Sequence, residues 1–245
     1  MDAATIQKIV DLAPVTNFTI SDLPYISKEL HLVVPPQVGV LKVSTLDGFV
    51  NLLEAGVDPD VVSPSAVLIH VTGPSNAELV QREADKYGRR QTHIVATLLE
   101  GLTKFPYFNQ FGAQEDFVIG LQAHFQENQD LLDLIQLASH IDIKDQVSLV
   151  DDGRAQEVTI QRGVAFKEKA ETKKRTTLKP FRTFRELDQP ASDFIFRVKA
   201  GGGFALFEAD GGAWKITAIA EIAAWLSHRL QTSVVTGLDA IPIIS

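Results

Sequence analysis

The chain contains no cysteine, which excludes a disulfide framework, a thiol nucleophile and a thiolate metal site. No apolar run reaches the length needed to span a bilayer, and the longest C-terminal candidate is broken by Lys215 and Glu221. The start, MDAATIQKIVDLAP, has neither the basic residues nor the continuous apolar stretch of a secretory signal. None of the six histidines (His31, His70, His93, His124, His140, His228) forms an H-x-x-x-H pair or an H-E-x-x-H helix face, so no zinc hydrolase is signalled. There is no G-x-S-x-G elbow for a serine hydrolase, no G-x-G-x-x-G fingerprint and no Lys-Ser/Thr of a phosphate loop. These absences predict a cytoplasmic protein that is not an enzyme and needs no cofactor and no metal.

Hydrophobic content of 45% and charged content of 22% are ordinary for a globular chain that buries a sizeable core. The net charge of −8 is unevenly distributed. Residues 162–185 read RGVAFKEKAETKKRTTLKPFRTFR, with Arg162, Lys167, Lys169, Lys173, Lys174, Arg175, Lys179, Arg182 and Arg185 against Glu168 and Glu171. That block is locally +7, which leaves −15 on the rest. Such sorting marks the place of an anionic partner or an oppositely charged neighbour. Phe166, Phe181 and Phe184 lie among the cations. Aromatic faces that stack on unpaired bases, beside cations that neutralise phosphates, suit single-stranded nucleic acid or a similar polyanion. The candidate binding set is Lys167, Lys169, Lys173, Lys174, Arg175, Lys179, Phe181, Arg182, Phe184 and Arg185. The opposing reading is a basic loop pinned to the core by its phenylalanines, with its charges facing solvent or the acidic body. A net-negative chain repels DNA at long range and does not coat it wholesale.

The chain order predicts an α+β fold of antiparallel β-hairpins packed with a few helices. Residues 4–12 carry Ile6, Ile9 and Val10 in a short amphipathic stretch, stopped at Pro14 and followed by an irregular segment through Pro24. A β-rich stretch at 38–43 leads to a helix capped by Ser44, with Asp47 three residues on, an inward face of Leu46, Phe49, Val50 and Leu53, and Gly56 as terminator. A strand at 66–71 precedes a hairpin that pairs 77–84 with 92–99. Two helices follow: Phe117, Leu121 and Phe125 align along the first, and Leu131, Leu134, Ile135, Ala138 and Ile141 along the second, with Asn128 as cap between them. Strands at 147–150 and 158–160 flank Asp151-Asp152-Gly153. Strands at 194–198 and 204–207 meet through Gly201-Gly202-Gly203, and an amphipathic helix near 217–231 presents Ile219, Ile222, Ala223, Leu226 and Leu230 on one face. The expected organisation is an N-terminal segment, 1–30, and one domain, 31–245. Its β-rich parts at about 38–100 and 147–217 are separated by a helical part at about 114–142.

Three further constellations have ordinary explanations. The glycines of GGGFALFEADGG sit between strands, where turns and bulges account for them. Asp142, Asp145, Asp151 and Asp152 have the chemistry to hold a divalent cation for phosphodiester cleavage, but Asp-Gly is itself a turn pair. Phe105, Tyr107, Phe108 and Phe111 form either a recognition surface or a core corner. His70 and His93 fall on predicted strands, close enough in the pattern to become neighbours.

The succession VGVLKVSTLDGFVNLL, AVLIHV, GRRQTHIVATLL, QEDFVIGLQAHFQENQDLLDLIQLA, VSLVDDGRAQEVTI and DFIFRVKA resembles the YfdQ-like proteins encoded by phages and prophages, across roughly residues 31 to 232. The resemblance implies a phage or prophage origin and work in the host-cell cytoplasm. It supplies no catalytic residues. The leading expectation is a binding protein that captures single-stranded nucleic acid or another polyanion and associates with itself. A module that captures a host protein through the basic block, or a metal-dependent phosphoesterase, are the alternatives.

Overall fold

The computed structural model describes residues 2–12, 16–26, 36–56, 63–99, 105–141, 148–151, 156–162, 166–171, 175–199 and 203–245. The chain runs through α1 (Ala3–Leu12), β1 (Asn17–Ile20), β2 (Leu23–Ile26), β3 (Leu41–Val43), α2 (Leu46–Glu54), β4 (Val67–Gly73), β5 (Asn76–Gln81) and β6 (Thr92–Thr97). It continues through α3 (Gln114–His124), β7 (Phe125–Gln126), α4 (Gln129–His140), β8 (Ser148–Asp151), β9 (Gln156–Arg162), β10 (Phe166–Glu171), β11 (Thr176–Pro180), β12 (Ser192–Lys199), β13 (Gly203–Glu208), α5 (Trp214–Gln231) and β14 (Ile243–Ile244). The α+β class is as expected, and the two β-rich parts form separate sheets.

The first sheet has the order β14-β4-β5-β6-β3. Its centre is the antiparallel β4–β5–β6 meander, and both edges, β14 on β4 and β3 on β6, are parallel. Burial alternates along β4 and turns Val67, Ile69 and Val71 inward. Against them α2 packs Leu46, Phe49, Val50 and Leu53, and α5 packs Ile222, Leu226 and Leu230. Both helices therefore bury the stripe that their 3.6-residue spacing predicts. Ile219 and Ala223 pack at the margin of the same cluster. The pairing of β5 with β6 is the expected hairpin.

The second sheet, β13-β12-β11-β7, is antiparallel throughout. Helices α3 and α4 cover it with Phe117, Leu121, Leu131, Leu134 and Ala138, against Leu178, Phe194, Phe196, Phe204 and Leu206. Phe105 sits at the centre, edge-on to Tyr107, Phe108, Phe117 and Phe125 at 5.1–5.6 Å between ring centroids, so Phe105, Tyr107 and Phe108 form a core corner, while Phe111 stays 43% exposed. Gly112 is required there, because a Cβ would stand 2.1 Å from the Tyr107 ring. Strands β8, β9 and β10 form a third, antiparallel sheet, and β1 with β2 forms a lone hairpin.

Four local expectations change. The segment through Pro24 contains the β1–β2 hairpin, whose two-residue turn, Ser21-Asp22, takes φ of +51° and +63°. Neither turn residue is glycine, so the usual hairpin signal is missing from the sequence. The strand expected at 38–43 narrows to Leu41–Val43. Phe125 leaves the helix for extended backbone at φ −127° and pairs with Pro180 of β11. The cap of α2 is Thr45, whose hydroxyl accepts from the Gly48 N–H at 3.0 Å; Ser44 stands one residue too early to reach that donor. Asn128 does cap α4, accepting from the Leu131 N–H at 2.8 Å, and Gly56 ends α2 at φ +69°. Thr45→Ala is expected to lower stability by about 1 kcal/mol and Ser44→Ala to leave it nearly unchanged, as read from urea unfolding midpoints of the two variants.

Candidate functional site

The basic block divides into two halves with different roles in the fold. In the first half, β10 pairs antiparallel with β9, so that Lys167 stands opposite Gln161 and Lys169 opposite Thr159. Both lysines occupy alternate positions of a strand. Lys173 and Lys174 lie outside the described residues.

In the second half, Arg175, Lys179 and Arg182 have carboxylate partners. Arg175 stands 3.6 Å from Asp193 with its side chain 61% exposed, a pairing that contributes little. Lys179 on β11 donates to Asp188 at 2.6 Å. That hydrogen bond, with the lysine charge, holds the Asp188 carboxyl below its usual range.

Arg182 is the most enclosed of these cations, with its side chain 7% exposed. One guanidinium nitrogen donates to Glu208 at 2.6 Å and another to the Ser192 hydroxyl, which donates in turn to Asp210 at 2.6 Å. The guanidinium lies 4.0 Å from the centre of the Trp214 ring and 5.6 Å from that of Phe194. Burial pulls Arg182 down to about 10, against the opposing pull of Glu208 and Asp210, so it is charged at neutral pH. Burial works against the Asp210 carboxylate too, but hydrogen bonds from Ser192 and Gly212 and the charge of Arg182 leave it below its ordinary value.

The candidate aromatic residues separate in the same way. Phe184 is fully buried in the core beneath α2 and α5 and offers no face to a nucleobase, which removes it from the binding set. Arg182 leaves the set as well, since its donors already face Glu208 and Ser192. Phe181 is half-buried, and exposed Arg185 lies over its ring at 3.5 Å. Lys179 is partly withdrawn by Asp188. What stays open at the surface of this half is Arg175 and the Arg185–Phe181 stack.

A set of polar residues that the sequence reading passed over holds this connector in place. Gln189, 2% exposed, accepts from the N–H groups of Arg182 and Thr183 at 3.0 and 3.3 Å and donates to the carbonyls of Phe184 and Leu187 at 3.1 and 3.2 Å. Thr183 donates to the Pro74 carbonyl at 2.6 Å. Glu186 accepts from the N–H groups of Leu46 and Asp47 at 2.7 and 3.3 Å, placing a negative charge at the start of α2. Thr183 and Pro74 are 109 residues apart along the chain and Leu46 and Glu186 are 140 apart, so no local pattern announces those two contacts.

Among the described residues no group of three or more His, Asp or Glu is placed to hold a metal ion. Asp151 ends β8, and Asp142, Asp145 and Asp152 lie outside the described residues. His70 and His93 do not meet, because β5 runs between their strands. No described helix is long and apolar enough to cross a membrane. No family model, curated protein or solved structure matches the chain.

Two stability measurements test this arrangement. Arg182→Met is expected to cost about 2–3 kcal/mol, since it strips charge-assisted hydrogen bonds from Glu208 and Ser192; Arg182→Lys should recover only part of it, lacking the planar stack on Trp214. Glu221 on α5 has one carboxylate oxygen buried without a hydrogen bond, and burial, followed by the charge of Asp188, raises its pKa. A raised carboxylate is a liability that grows as pH climbs through the unfolded value toward the folded one. Glu221→Gln should therefore gain stability over the parent at pH 7 and lose that advantage at pH 4, as compared by urea midpoints.

Proposed function

We propose that the chain is a non-catalytic binding protein, of phage or prophage origin, that holds a polyanion through the first half of its basic block. Single-stranded nucleic acid is the foremost ligand. The reading is carried by one contrast within the block. Its second half has carboxylate partners at Arg175, Lys179 and Arg182 and a core phenylalanine. Its first half runs on a three-stranded sheet of its own, where Lys167 and Lys169 stand opposite the neutral Gln161 and Thr159. A polyphosphate that meets these lysines displaces their counterions.

The salt dependence of binding to an oligothymidylate provides the test. The parent should lose affinity linearly in log salt, and Lys167→Glu with Lys169→Glu should flatten the slope by about 1.4, or ~0.7 per lost phosphate contact. Lys173→Glu with Lys174→Glu should act similarly. Absence of salt-sensitive binding by the parent, or slopes unchanged in both variants, would sink the proposal. Nuclease-resistant retention of one stoichiometric host protein, abolished by the same substitutions, would turn the reading to protein capture.

A further inference from the structure

Among the outward-facing apolar residues described, two groups complement each other. The first belongs to the N-terminal arm. Every described side chain of α1 is exposed; Ile6 and Val10, four residues apart on one face, are 51% and 55% exposed, and Leu12 is 75% exposed. A helix of ten residues is marginal in water by itself, and so is a hairpin of two strands. The β1–β2 hairpin is such a pair, with Ile20 50% exposed. Both elements gain from a surface that covers them.

The second surface is the β3 side of the five-stranded sheet. β3 is an edge strand, paired through β6 alone among the described strands. Leu41 at its start is 37% exposed, and Val38 and Val40, in the stretch just before it, are 55% and 40% exposed. An apolar edge of this kind is a template for another strand. Charge favours the match. The arm, residues 2–26, carries Asp2, Asp11 and Asp22 against Lys8, a net charge of −2. The edge carries exposed Lys42, and exposed Arg90 precedes Gln91, whose amide donates to the Val38 carbonyl at 2.9 Å.

We infer that the arm of one copy docks along the β3 edge of a second copy, in a reciprocal exchange that closes a two-fold dimer. Each copy has one arm and one β3 edge, both exposed in its own structure, so a two-fold exchange covers both of them. The exchange does not depend on polyanion binding.

Light scattering coupled to size exclusion, with sedimentation equilibrium of the full chain, tests the exchange. The parent should be a dimer. Ile6→Asp with Val10→Asp, and separately Val38→Lys with Val40→Lys, should each raise the dimer Kd by at least ~30-fold while leaving the thermal melt cooperative, because none of the four residues is buried. Ile6→Ser with Val10→Ser replaces the aspartate pair if that pair disturbs folding. An equimolar mixture of the arm and edge variants should form a heterodimer, since it keeps one intact arm and one intact edge. A monomeric parent would overturn the inference, as would variants that dimerise as tightly as the parent. Two monomeric variants that fail to complement each other would also overturn it, by showing that arm and edge are not each other's partners.

Discussion

A guanidinium kept out of water is the constraint around which the second half of the basic block is arranged. Arg182 gives up most of its hydration, and such a group persists in a protein only with charge and hydrogen bonds in return. Glu208 supplies the charge from the end of β13, Ser192 an acceptor from the start of β12, and Trp214 a face at the start of α5. The cation thus fastens together the ends of β12 and β13 and the beginning of the long helix. Its neighbours extend the same connection: Phe184 enters the core beneath α2 and α5, while Leu178, six residues earlier, belongs to the core beneath α3 and α4. The segment between them crosses from one hydrophobic cluster to the other, and Gln189 satisfies the backbone groups exposed by the crossing.

This gives the charge sorting a structural explanation over part of its length. A positive segment crossing an acidic chain between two apolar cores acquires carboxylates, and here Asp188, Asp193, Glu208 and Asp210 come from within thirty-five residues of the cations that they meet. Burial makes the exchange worthwhile for Arg182 alone; the exposed pairs at Arg175 and Lys179 are screened by water and contribute less. The lysines of β10 stand on a separate sheet, and the proposed ligand is placed there.

The surface left apolar follows a different logic. Residues with helical or strand periodicity normally mark the side that meets the core, and in α2, α4 and α5 they do. In α1 the same pattern of Ile6 and Val10 faces outward. Periodicity reports that a face seeks cover without naming what covers it. An edge strand with apolar neighbours has the same property, and bringing the two together joins needs that the isolated chain leaves unmet.

How much was legible in the sequence depended on the range of the interactions involved. Helix stripes such as Leu46, Phe49, Val50 and Leu53, the Asn128 cap and the β5–β6 and β12–β13 hairpins rest on contacts between near neighbours in the chain, and each could be read from spacing alone. The Ser21-Asp22 turn escaped because its positive φ values fall on residues without the glycine signal, and the α2 cap was misplaced by one residue because adjacent Ser44 and Thr45 offer the same hydroxyl. The local charge of +7 was equally plain. Tertiary structure decided where the charges of the second half sit. A lysine, an arginine or a phenylalanine carries the same sequence signature whether it lies in solvent or in a core. Only the folding of β12, β13 and α5 around Arg182, and of α2, α5 and the five-stranded sheet around Phe184, brought their partners within hydrogen-bonding and packing range.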